Sequence, residues 1–185
     1  MQSLTRPSGA MTLRPATEAD MPAIAAIYAH HVLHGDASFE IDPPSLAEMI
    51  ERRAGIVAKG LPYLVAVDEA GEVLGYAYAS TYRPRPGYRH TVEDSIYLRP
   101  DMLGRGLGKA LLAAIIEACT ALGYRQMLAV AGGDSSPASV KLHQSMGFHI
   151  AGTLEAIGRK HGRWLPTVLL QRALGEGSTT PPKGE

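Results

Sequence analysis

The apolar positions of this 185-residue chain fall into short, well-separated patterns. Thr12 to Ala16 reads as a strand, and Asp20 is placed to cap a helix running to about Leu33, with Pro22 in its first turn. Ile24, Ile27 and Tyr28 give that helix its apolar spacing. After the break at Pro43-Pro44, Ser45 and Glu48 form a capping-box signature ahead of Met49 and Ile50. Three strand-like runs follow at Tyr63 to Val67, Val73 to Ser80 and Thr91 to Leu98, the first two joined by the turn Asp68-Glu69-Ala70-Gly71. The strongest helical signal begins at Gly106. Leu107, Leu111, Leu112, Ile115, Ile116, Cys119 and Leu122 share one stripe, and Gly123 is a natural stop. A strand at Gln126 to Ala131, a helix at Pro137 to Met146, and strands at His149 to Leu154 and Trp164 to Leu170 complete the series. The pattern predicts a single α/β domain, a mixed and mostly antiparallel central sheet flanked by helices.

Composition narrows the function more than the fold. Eighteen basic residues balance eighteen acidic ones, so no long-range field draws the chain to nucleic acid or to an anionic membrane. No apolar run approaches the roughly 20 residues that span a bilayer. Cys119 is the only cysteine, which excludes an intrachain disulfide and a cysteine-built zinc site and fits the cytoplasm. Residues 1–10 are polar, lack the apolar core of a secretory signal, and read as an extension before the domain at 11–174. Residues 175–185, rich in Gly, Ser, Thr, Pro and charge, read as a flexible tail.

The chemistry concentrates first at Leu98-Arg-Pro-Asp-Met-Leu-Gly-Arg-Gly-Leu-Gly-Lys109, where closely spaced glycines join a strand to a helix. Gly104, Gly106 and Gly108 let backbone N–H groups approach an anion, and the start of the helix adds partial positive charge. Arg105 and Lys109 add mobile positive charges, and Leu107 begins the buried stripe. Such a turn suits a pyrophosphate; a glycine-rich connector without ligand is the plain alternative. A Walker A loop is excluded because Leu103 and Ala110 stand where Gly and Ser/Thr are needed. The dinucleotide fingerprint fails because neither glycine pair is followed by a third at the required spacing.

Strand alternation puts Thr91, Glu93, Ser95 and Tyr97 on one face and Val92, Ile96 and Leu98 on the other. A carboxylate within a central strand either lines a cleft, where Glu93 is a candidate general base, or forms a salt bridge at the strand's start. Arg83, Arg85 and Arg89 lie in the loop Tyr82-Arg-Pro-Arg-Pro-Gly-Tyr-Arg89. Guanidinium groups there suit a carboxylate or phosphinate, solvated surface charge being the alternative. His30, His31 and His34 lack the Glu and the third ligand that a zinc site needs, so no metal is expected.

Taken together, the glycine turn and Ser139 to Phe148 (SVKLHQSMGF) resemble the acetyl-CoA site of GNAT acetyltransferases, over nearly all of Met11 to Leu170. Gly106 and Gly108 match the family's Gln/Arg-x-x-Gly-x-Gly/Ala core, and Leu103 departs from it. Tyr-Arg-His-Thr-Val-Glu-Asp-Ser-Ile-Tyr (88–97), Leu-His-Gln-Ser-Met-Gly-Phe (142–148) and Lys-His-Gly-Arg-Trp (160–164) resemble the phosphinothricin and methionine sulfoximine branch. The resemblance implies transfer of acetyl from acetyl-CoA to the amino group of a small molecule, by direct attack in a ternary complex. It implies pantetheine binding by the backbone of Ile96, Tyr97 and Leu98, further cofactor contacts from Ser136 and Ser139, and Glu93 as base. His143 stands where many members carry a tyrosine, as an acid or as a structural histidine. Phe39, beside Glu40, resembles a loop that closes over the substrate, and Arg83, Pro84, Arg85, Glu93, Asp94 and Ser95 resemble a substrate wall. Ser136 replaces an Asn usual in relatives, with Asp134 or Ser135 as substitutes, and Tyr82 and Arg85 replace aromatic residues of the sulfoximine-type members. A homodimer is implied as well. Acetylation of another amine (a polyamine, an aminoglycoside or a protein N-terminus) and a non-catalytic acetyl-CoA-binding module are the competing readings. The basic loop counts against the cationic substrates.

Overall fold

A computed structural model of the chain describes residues 11–133 and 136–182. Its elements are β1 (Thr12–Pro15), α1 (Met21–His34), α2 (Leu46–Val57), β2 (Tyr63–Val67), β3 (Val73–Thr81), β4 (Thr91–Leu98), α3 (Leu107–Ala121), β5 (Gln126–Gly132), α4 (Ser136–Ser145), β6 (His149–Lys160) and β7 (Arg163–Ala173). The strands form one seven-stranded sheet in the order β1-β2-β3-β4-β5-β7-β6. Every pairing is antiparallel except β4 with β5, the pair that α3 connects. This is the mixed, mostly antiparallel α/β architecture that the periodicity predicts.

Each face of the sheet is covered by helices because each presents an apolar row. On one side Leu107, Leu111, Leu112, Ile115, Ile116 and Cys119 of α3 pack on Ala66, Ala77, Ala79, Val92, Met127 and Ala129. Burial of one large aliphatic side chain contributes about 1.5–3 kcal/mol, so this stripe anchors α3 against the sheet. On the other side Met21, Ile24, Ile27, Tyr28 and Val32 of α1, with Met49 of α2, pack on Val65, Tyr63 and Tyr76.

The local signals are met unevenly. Ser45 Oγ accepts from the Glu48 amide at 3.2 Å, as a helix cap should. Asp20 precedes α1 but does not cap it. Its carboxylate takes both guanidinium nitrogens of Arg14 at 2.7 Å and the amide and hydroxyl of Thr17, a charge-assisted set that outcompetes a single helix amide. β6 and β7 run well beyond their expected ends into a long hairpin that turns at His161 and Gly162, both with positive φ. Between Leu154 and Gly158 the register slips, because β6 carries three residues, 155–157, where β7 has only Pro166. This bulge hides the strand period from sequence reading. Past β7 the chain is held by Arg125, whose guanidinium donates to Gly177 O at 2.9 Å, Thr180 Oγ1 at 3.0 Å and Pro181 O at 2.8 Å.

Candidate active site

β4 and β5 run side by side only from Thr91↔Gln126 to Asp94↔Ala129. Beyond that rung β4 stays with β3 as far as Leu98, while β5 follows β7 to Gly132. The two central strands therefore fork. The Arg99 amide donates to Leu74 O in β3 at 2.9 Å, so the preceding carbonyl, Leu98 O, turns the other way, toward the fork. By alternation the peptide groups of Ile96 share that direction and have no strand to pair with. An open strand edge inside a sheet is a ready site for an extended ligand with amide groups.

His31 of α1 reaches this edge. Its Nε2 stands 2.7 Å from Leu98 O, and since a carbonyl only accepts, Nε2 carries the proton. Burial lowers the His31 pKa against the raising effect of that carbonyl, which keeps the ring neutral. Its ring also packs on Tyr97 with centroids 5.6 Å apart. Of the three clustered histidines, this one is committed to the fork. Among the described residues no group of three or more His, Cys, Asp or Glu is placed to share a metal ion.

The glycine turn lies where β4 leads into α3. Gly106, the residue before α3, has φ of 82°, and Gly104 has φ of 72°, a conformation that costs an L side chain about 1 kcal/mol or more. A side chain at either position would meet nothing within 4 Å. Among the described residues no side chain caps α3, which leaves its first amides for an anion. Arg105 and Lys109 are exposed beside them. Gly108 is needed for packing: an added Cβ would lie 3.2 Å from Leu142 of α4 and 3.6 Å from Leu98. Leu103 projects into solvent, 60% exposed, and closes no part of the turn. These features fit a pyrophosphate at the turn and a pantetheine arm along β4, and the distance from Glu93 to Leu98, five residues of strand, is about 16 Å.

Glu93 and Ser95 lie on the α1 side of β4, and Glu93 is partly buried. Burial first and the neighbouring charge of Asp94 second push its carboxyl above the ordinary value. Ser95 sits opposite Tyr78 of β3. Asp94 points to the other face. Its side chain is 1% exposed, and its Oδ2 lies 2.9 Å from Nε2 of His143 on α4. Nδ1 of His143 donates to Ser139 O at 2.7 Å, with Ser139 Oγ at 3.4 Å. Burial lowers the His143 pKa, but the hydrogen bond and charge of Asp94 and the Ser139 carbonyl outweigh it and raise the net value. Asp94 Oδ1 is buried and has no hydrogen-bond partner among the described residues. Among the expected substrate-wall residues Asp94 thus stands apart, facing α4 rather than Glu93 and Ser95. The signal was available: Asp94 has the parity of Val92, Ile96 and Leu98, and a carboxylate on an apolar face needs a partner.

Arg83 and Arg85 are exposed in the β3–β4 loop. Arg83 lies over the rings of Tyr82 and Tyr88, 5.1 and 5.8 Å from their centroids, which restricts where its guanidinium can point. Pro84 is exposed between the two arginines. The loop between α1 and α2 brings Phe39 to the far end of β5, where its ring approaches Gly132 and Gly158. Ser136 opens α4 by its backbone. Asp134 and Ser135, the alternatives to it as a cofactor contact, lie outside the described residues.

A forked parallel pair with an uncapped glycine turn at its mouth suits an extended acyl-CoA, and the chain's relatives make it an acyl-CoA-dependent transferase. The chain belongs to the acetyltransferase (GNAT) family, whose profile matches residues 26–148, and whose members move acetyl from acetyl-CoA to an acceptor. It is 50% identical over 174 residues to phosphinothricin N-acetyltransferase of Alcaligenes faecalis, covering 94% of this chain and 88% of the relative. It is 41% identical over 170 residues to an L-methionine sulfoximine/L-methionine sulfone acetyltransferase of Pseudomonas paraeruginosa, covering 92% and 98%. Among solved structures, a phosphinothricin acetyltransferase from Sinorhizobium meliloti in complex with AcCoA superposes with a TM-score of 0.92 at 52% identity, over 94% of each chain.

Proposed function

We propose that this enzyme transfers acetyl from acetyl-CoA to the amino group of a small anionic amino-acid analogue of the phosphinothricin or methionine sulfoximine type. The observation that carries this reading is the fork after Asp94, with the uncapped turn of Gly104–Lys109 at its mouth and Glu93 on its α1 side. Acetyl-CoA supplies an activated thioester. The amides at the start of α3, with Arg105 and Lys109, hold the pyrophosphate, and the peptide edge of Ile96–Leu98 holds the pantetheine arm and polarises the thioester carbonyl. Ser136, at the start of α4, and Ser139, within the same turn, complete the cofactor contacts.

Glu93 takes a proton from the substrate ammonium, whose amine then attacks within the ternary complex. The C–N bond forms as the C–S bond breaks, the second proton of the nitrogen passes to the departing thiolate to give coenzyme A, and Glu93 releases the first proton to solvent. Both nitrogens of His143 already face acceptors, which favours a fixed cation on the α4 side of the fork over a direct proton donor. Arg83 and Arg85 attract the carboxylate or phosphinate of the substrate, while Ser95, Pro84 and Phe39 border its side chain.

The enzyme works as a homodimer in the cytoplasm. Trp164, 65% exposed, and Ile150, Leu154 and Ile157 leave apolar side chains exposed on the outermost hairpin, at the sheet edge where a second copy would pack. The lone cysteine, Cys119, is buried and unpaired, as suits a reducing compartment.

The test follows thiol release from acetyl-CoA with phosphinothricin, methionine sulfoximine, methionine sulfone, common amino acids, a polyamine and a short peptide. Turnover confined to anionic amino-acid analogues is expected. Turnover of the polyamine or peptide alone would overturn the substrate assignment, and binding of acetyl-CoA with no turnover would favour a binding module.

A further inference from the structure

The turn Lys160-His-Gly-Arg-Trp164 has no role in the chemistry above, yet it reaches the loop that carries Phe39. Lys160 is 3% exposed, and its Nζ donates to Ser38 O at 2.6 Å across 122 residues of sequence. The charges of Asp36 and Glu40, both from that loop, act on its ammonium. The next residue, His161, holds a φ of 50° and brings Nε2 to 3.2 Å from Gly35 O. Two consecutive residues of one hairpin turn thus grip the two ends of a four-residue stretch. Ser38 is fixed from below as well, its Oγ lying 2.9 Å from the phenol oxygen of Tyr28 in α1.

The seat for Phe39 is made by the same hairpin. An added Cβ at Gly158 would lie 2.1 Å from Cε2 of Phe39, and one at Gly132 would lie 3.0 Å from Cε1. The ring therefore rests on two bare backbone positions, one in β6 and one in β5. Gly158 is the residue at which pairing with β7 resumes after the bulge, and Ala156 within the bulge has a φ of 48°. A left-handed alanine and a left-handed histidine flanking one glycine are unfavourable locally, and such positions persist where the surrounding structure fixes them.

We infer that Lys160, with His161 and the bare backbone of Gly158, is a positioning device for the acceptor site: it clamps residues 35–40 so that Phe39 forms a preset wall for the amine substrate. The inference rests on the proposed placement of Phe39 at the substrate. A buried ammonium suits this task because it demands acceptors, and the carbonyl of Ser38 satisfies one of its three protons. A loop held this way loses little entropy on binding, and the gain appears in acceptor affinity rather than in cofactor affinity.

The test compares wild type, Lys160→Met, Lys160→Arg and Gly158→Ala by steady-state kinetics with phosphinothricin, and by hydrogen exchange of the amides of residues 35–40. Lys160→Met keeps the aliphatic stem and removes the donor. It is expected to raise the KM for phosphinothricin about tenfold, leave the KM for acetyl-CoA within about twofold, and speed exchange in residues 35–40. Lys160→Arg should recover part of the loss. Gly158→Ala should raise the same KM by displacing the ring, and should add little once Phe39→Ala is present, since the two changes act on one contact. Unchanged exchange in folded Lys160→Met would overturn the clamp. Faster exchange with unchanged phosphinothricin KM would overturn its role in acceptor binding while leaving the acetyltransferase assignment intact. Should phosphinothricin fail with wild type, the same comparison is made with whichever amine turns over, and the exchange measurement still decides the clamp.

Discussion

Nε2 of His143 stands 2.9 Å from Oδ2 of Asp94, and this pairing joins α4 to β4 at the last rung that β4 shares with β5. The side chains are 6% and 1% exposed, so the pair is held in a low-dielectric setting where neither partner is dispensable. The fork and the helix that closes it are thus tied at the vertex. The same residue that ends strand pairing supplies the strut.

Asp94→Asn should cost about 2–4 kcal/mol of stability, because a buried hydrogen-bonded charge pair loses one charge and keeps the other's desolvation. The pH dependence follows from the raised folded pKa of His143. Its stabilising contribution is complete below the unfolded value of about 6.5 and is lost as pH rises through the higher folded value. Denaturant unfolding from pH 5 to 9 should therefore show a decline in wild type that is weaker in Asp94→Asn. NMR of the His143 imidazole should show its titration moved down in the variant. An unchanged titration would contradict the pairing as the cause.

Glu93→Gln should lower kcat by about 10²–10⁴, the usual contribution of a positioned general base. With Glu93 pushed up by burial and by Asp94, the base is protonated at a higher pH than an ordinary glutamate. Wild-type kcat/KM should fall as pH drops through that raised value. The variant should lack this limb while binding acetyl-CoA as before, measured by calorimetry. A variant that retains both kcat and the limb would remove Glu93 from the proton path.

The sequence announces α3 and the glycine turn most clearly, since an amphipathic stripe and a left-handed glycine are local properties. The fork is less visible. It depends on where β4 stops pairing with β5, and no residue between Asp94 and Leu98 carries that information alone. Asp94 was readable by parity as a buried carboxylate, yet its partner lies 49 residues away. The strands of the β6–β7 hairpin are read over part of their course, and their full length escapes because the bulge breaks the alternation. Arg125 shows the same limit: three carbonyl and hydroxyl contacts to residues 177–181 are not written in a stretch of Gly, Ser, Thr and Pro.

Gly106→Ala should weaken acetyl-CoA about tenfold by direct binding, with kcat at saturating cofactor changed far less. The φ of 82° places the new methyl in the left-handed region, at a cost of about 1–2 kcal/mol, and relaxing it turns the first amides of α3 away from the anion. Because the space around Gly106 is open, the effect comes from the backbone and not from a clash. Equal affinity for wild type and variant would show that the turn does not hold the pyrophosphate.

The arginine loop should act on substrate charge. Arg83 lies over Tyr82 and Tyr88, and these rings meet edge to face with centroids 5.5 Å apart, so its guanidinium is held by packing rather than by a carboxylate. Among the described residues Arg83 has no ion partner, and a cation so positioned is available to an anionic substrate. Arg83→Ala should raise the KM for phosphinothricin about tenfold, the scale of one charge-assisted contact near a surface. Arg83→Lys should recover only part, since an ammonium neither stacks on the rings nor offers a two-pronged donor. The discriminating measurement pairs each acidic substrate with its uncharged ester or amide. If Arg83 reads the anion, the neutral analogue starts weaker in wild type and loses little more in Arg83→Ala. An equal loss for both would assign the residue to loop structure instead. Raising salt should weaken the acidic substrate more than the neutral one, because an exposed arginine acts through a field that ions screen over about 10 Å.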